Sequence, residues 1–96
     1  ANLKKAKIYL DKSDPASFYQ ELSLATTGYI MKKYHIPNVD SDHPTILKQL
    51  AENGVPGHLI TEYSQILNRC ELAKFAGRYG NMEEEYNIAL KLIEEV

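Results

Sequence analysis

The chain has one cysteine in 96 residues. That excludes an internal disulfide and fits a reducing compartment. No apolar run approaches the ~20 residues that a membrane-crossing helix needs, and no signal-peptide pattern is present. Strand signals are missing as well: Val and Ile are scattered, no apolar–polar alternation develops, and no Asn-Gly or Asp-Gly step joins two alternating runs. Basic charge is not in excess. The formal net charge is −2, which argues against nucleic acid as the main partner, because phosphate binding needs a basic face.

What is present reads as one helical domain. Hydrophobic residues make up 44% and charged residues 25%, an ordinary globular composition that can fill a single core without disulfides or metals. The charge is uneven, with +2 over residues 1–48 and −4 over residues 49–96. Lys4, Lys5 and Lys7 crowd one helical turn, as a solvated face or as the flank of a preceding membrane span. The chain begins without Met, and the expectation is a piece excised from a larger, membrane-anchored protein.

Helical spacing recurs throughout. A first helix is predicted over about Leu3–Asp11, with Leu3, Ala6 and Leu10 on one face. Asp14 is placed to cap a second and longest helix, opened by Pro15 and running to about His35. Its core face is Phe18, Leu22, Ala25, Tyr29 and Ile30. Leu24, Met31 and Tyr34 fall on another side, which suggests neighbours on two faces. Gly28 lies inside this helix at a cost of ~1 kcal/mol against Ala, and a closely crossing helix is the expected reason. After a polar loop over 38–43, Asp42 or His43 caps a short helix from Pro44, ended by Asn53-Gly54 with Gly54 left-handed. Pro56 opens a fourth helix with the stripe Leu59, Ile60, Tyr63, Ile66, Leu67, Cys70 and Ala73. After the loop Gly77–Gly80, Asn81 with Glu84 resembles a capping box, and Met82, Tyr86, Ala89, Leu90 and Ile93 form the last stripe. The fold class expected is therefore all-α: a compact bundle of about five helices, antiparallel in style, with short links.

Nothing in the spacing points to catalysis. His35, His43 and His58 show no i, i+4 pairing with another ligand of the kind a zinc motif needs, so surface or capping roles are expected and no cofactor or metal site. Cys70 falls near the C-terminal end of a helix beside Glu71, where a thiolate is disfavoured, and reads as a small core residue. Glu83-Glu84-Glu85 sits in an opening helical turn, where carboxylates complement the dipole. Tyr79, in a loop beside Arg78, is a candidate contact residue.

An ordered series of segments carries a resemblance: Phe18-Tyr19-Gln20-Glu21-Leu22-Ser23, Gly28-Tyr29-Ile30, Ile36-Pro37, Gly54-Val55-Pro56, Leu67-Asn68-Arg69-Cys70-Glu71-Leu72-Ala73-Lys74-Phe75, and Tyr86 to Leu90 with Ile93-Glu94. The series spans nearly the whole chain and resembles the C-terminal region of bacterial BatD proteins, of the Bat (aerotolerance) group. It departs from that pattern after Ala76, where the family often has proline and this chain has Gly77. The resemblance implies a helical domain on the cytoplasmic side of the bacterial inner membrane, below β-sandwich modules and membrane spans. It implies partners among the other Bat proteins or a MoxR-type ATPase, in stress or oxygen tolerance. The function expected is a non-enzymatic protein-interaction domain, with Glu71, Lys74, Phe75, Arg78 and Tyr79 as candidate contact residues. The alternative is a tetratricopeptide-like peptide-binding module, suggested by the Tyr86-x-x-Ala89-Leu90 step, although no second copy recurs at the repeat period.

Overall fold

A computed structural model describes residues 3–37, 39 and 42–96. Five helices follow one another: α1 (Lys4–Asp11), α2 (Pro15–Lys33), α3 (His43–Glu52), α4 (Gly57–Ala76) and α5 (Met82–Glu95). The described residues contain no strand. The polar loop expected over 38–43 lies partly outside the described residues.

The starts of α2, α3 and α5 are fixed by short polar side chains that accept from otherwise unpaired N–H groups. Asp14 accepts from Ser17 N at 3.3 Å ahead of Pro15. Between the two expected caps of α3 the structure selects Asp42, which accepts from both the N–H and the hydroxyl of Thr45. These bonds hold its carboxyl below the usual range. Asn81 accepts from Glu84 N at 3.0 Å.

Three helices end by the same device, in which the chain turns left-handed and two N–H groups reach back to orphan carbonyls. At Gly54 (φ 77) the bonds run Gly54 N to Ala51 O and Val55 N to Leu50 O, which also seats Val55 on the core. Ser13 and His35 (both φ 55) make the matching pairs after α1 and α2. The stop at His35 shortens α2 from its expected end to Lys33. Pro37 disfavours helical geometry at Ile36, and the Ile36 N–H instead closes on Met31 O at 2.9 Å.

The centre of the bundle is α2, which packs against α1, α4 and α5, while α3 leans on α4. Phe18, Leu22 and Ile30 from α2 meet Tyr63 and Ile66 of α4 and Leu92 of α5 in a fully buried interior. Along α4 the expected stripe is buried apart from half-buried Ile60. On α5 the burial shifts: Met82, Tyr86 and Leu90 are only half-buried, whereas Leu92 and Glu85 are enclosed.

Two expectations for α2 are corrected. Among the described residues no helix crosses at Gly28; a Cβ built there meets nothing within 4 Å. Leu24 is not packed against a second neighbour but is 60% exposed. Of the three residues assigned to that side, Met31 is half-buried and Tyr34 donates its hydroxyl to Val96 O at 2.6 Å. No described residue thus covers the outer face of α2 over its middle turns.

Candidate functional site: a groove between α2 and α4

The uncovered face of α2 is one wall of a groove, and the C-terminal half of α4 is the other. A hollow of about 300 Å³ lies between Gln20, Ser23 and Leu24 on one side and Glu71, Lys74 and Phe75 on the other. A second hollow of about 350 Å³ continues along α2 past Thr27 and Gly28 to Met31. The two share Ser23, Leu24 and His43 as lining residues. Leu24 and Phe75, 60% and 77% exposed, form apolar rims in a domain whose core is already filled.

The walls are held from behind. Thr27 and Tyr63 share a hydrogen bond of 2.7 Å between their hydroxyls, linking the groove side of α2 to the core of α4. Tyr19 lies edge-on to Phe18, with ring centres 5.1 Å apart. Its hydroxyl accepts from Gly80 N at 3.0 Å, fixing the α4–α5 loop. Burial raises the Tyr19 phenol, and the Gly80 N–H opposes part of that rise. At the start of α3, His43 Nδ1 lies 2.8 Å from Glu71 Oε1 and ties that helix to α4. With Glu71 so engaged, Lys74 is the cation at this end; its Nζ sits 5.4 Å from the centre of the Phe75 ring.

The five candidate contact residues divide accordingly. Glu71, Lys74 and Phe75 line the groove together. Arg78 and Tyr79 do not: Arg78 is exposed in the loop, and Tyr79 stacks on Tyr19 with ring centres 6.1 Å apart. Sequence reasoning missed the α2 wall, although Gln20, Leu24, Thr27 and Met31 recur at helical spacing opposite the core stripe. It also missed His43 as a tether.

Cys70 forms part of the groove floor, yet it is 5% exposed. Burial above all, then the Glu85 carboxylate, pushes its thiol up to about 12, and Arg69 offsets only part of this. Burial likewise lifts Tyr63 to about 12, against the opposing hydrogen bond with Thr27. Both groups stay protonated in the fold at pH values where the unfolded chain ionises, so the unfolded state gains. Their stabilising contribution is complete below about pH 9 and declines as pH rises toward 12, by up to about 1.4 kcal/mol per pH unit for each group. Urea midpoints measured from pH 8 to 11 should fall, and Cys70→Ala with Tyr63→Phe should flatten the decline. At pH 8 a thiol reagent should modify native Cys70 far more slowly than unfolded chain.

Among the described residues no group of three or more His, Cys, Asp and Glu side chains could hold a metal ion, and no helix is long and apolar enough to cross a membrane. His35 and His58 are exposed, one at the end of α2 and the other at the start of α4. No family model matches the chain, and neither a curated protein nor a solved structure is found to be similar to it.

Proposed function

We propose that this chain is a non-catalytic protein-interaction domain that docks a partner in the α2–α4 groove. The observation that carries this reading is the exposure of Phe75 and Leu24 on facing rims of one hollow. Large apolar side chains beside a concave surface, with polar groups at its edge, are the ordinary makings of a binding surface. Neighbouring side chains in the groove supply apolar area and one cation.

The ordered resemblance to BatD proteins gives this reading a setting. In that setting the domain sits on the cytoplasmic side of the inner membrane, attached through a segment outside this chain. The partners it meets there are the von Willebrand-type Bat proteins or the MoxR-type ATPase, in a stress or oxygen-tolerance pathway.

The test is titration of the ¹⁵N-labelled domain with those proteins, with and without nucleotide. One of them should broaden or shift the amide signals of Ser23, Leu24, Lys74 and Phe75. Unchanged spectra under every nucleotide condition would remove the Bat assignment.

A further inference from the structure

The geometry points to an amphipathic α-helix as the occupant of this groove, with an apolar stripe along α2 and a carboxylate opposite Lys74. This rests on the interaction-domain reading above and adds the chemistry of the partner.

The length and shape of the groove favour a helix. From Gln20 to Met31 the wall runs about 16 Å at the rise of an α-helix, or roughly three turns of a partner laid alongside. Three turns present apolar residues at i, i+4, i+7 and i+11 on one face, which is how helices sit in apolar grooves. An extended peptide would need backbone partners. Among the described residues there is no strand whose edge could supply them, and unpaired N–H and C=O groups against Leu24 and Phe75 would be costly. A helix pairs its own backbone and brings only side chains.

Gly28 gives the groove a notch. Its hydrogen faces open space at a point that lines the second hollow, and its helical backbone needs no glycine, since φ is not positive there. The residue weakens α2 with no neighbour among the described residues to account for it. A partner helix crossing at that notch could bring its backbone close between Leu24 and Met31.

Charge completes the fit. Glu71 is paired with His43, and Lys74 has no acidic partner among the ion pairs of the described residues, only the Phe75 ring. A partner carboxylate at the α4 end would meet an uncommitted ammonium group.

The test uses the full chain and three displayed 16-residue peptide libraries. The first varies Leu, Ile, Met and Phe at i, i+4, i+7 and i+11 with a fixed Glu beside the first position. The second has two central prolines, and the third has Lys in place of Glu. The first library should be enriched over both others, and its best peptide should shift the amides of Ser23, Thr27, Gly28 and Phe75. Gly28→Leu and Phe75→Ser should each weaken that peptide by about tenfold or more, and Lys74→Glu should favour the Lys peptide. Gly28→Ala should raise the melting temperature by about 4–8 °C. Gly28→Leu should likewise not lower it, so its loss of binding is not loss of fold. Equal enrichment of the proline library overturns the helix. Shifts confined to another face overturn the site, and a concentration-dependent dimer abolished by Phe75→Ser makes a second copy the occupant. If a Bat protein binds elsewhere, the interaction-domain reading stands and this inference falls; if neither peptides nor proteins bind, both fall.

Discussion

Arg69→Met should destabilise the domain by about 2–3 kcal/mol, a loss of roughly 10–20 °C in melting temperature for a chain of this size. The reason lies in Glu85, which is 4% exposed in the first turn of α5. Its Oε2 accepts from Arg69 Nε of α4 at 2.5 Å, the contact that joins the last two helices by charge. Removing the guanidinium leaves a buried carboxylate without the counter-charge that pairs it. The Arg69 side chain is 38% exposed, so water can reach part of the vacated space, and the loss stays below that of a fully buried pair.

The second half of this experiment distinguishes a pair from two separate contributions. Arg69→Met combined with Glu85→Leu replaces both charges with apolar groups of similar size. Buried pairs replaced together in this way often come out neutral. The double variant should therefore lie within about 1 kcal/mol of the parent in urea titrations. Simple addition of the two single losses would show that the ion pair is not the unit that matters.

Phe18→Ala should cost about 3–5 kcal/mol, close to the whole stability of a small domain. Phe18 is completely buried in the first turns of α2 and braces Tyr19 edge-on. Truncation opens a cavity and also loosens Tyr19, whose hydroxyl holds Gly80 and whose ring underlies Tyr79. The α4–α5 loop should then lose amide protection along with the core, which hydrogen exchange will report. A control on the opposite face of the same helix, Leu24→Ala, should leave the urea midpoint nearly unchanged, because Leu24 is already in water.

That contrast shows what the sequence can and cannot reveal. Caps are local, so Asp14, Asn53-Gly54 and Asn81 mark element ends within a few residues of chain and were legible. The stripe Tyr63, Ile66, Leu67, Cys70 and Ala73 was legible because one period governs it. Glu85 was not. Within Glu83-Glu84-Glu85 all three carboxylates suit an opening turn, and only the register Glu85–Ala89–Leu92 places one of them on the buried face. Gly28 and Leu24 were misassigned for a related reason. Periodicity says which residues share a face, but only the positions of the other helices decide whether a second face is covered. The α2 side of the groove is such a face.

Ser13 and His35 hold the left-handed corners after α1 and α2, although neither is glycine. A side chain in that conformation costs on the order of 1 kcal/mol, so each corner is imposed by the backbone bonds around it and not by the residue occupying it. Both positions face solvent. They consequently accept unbranched side chains at similar cost and gain from glycine, but exclude proline and disfavour β-branched residues; a spectroscopic label attached there would report on tumbling without touching either the interior or the groove.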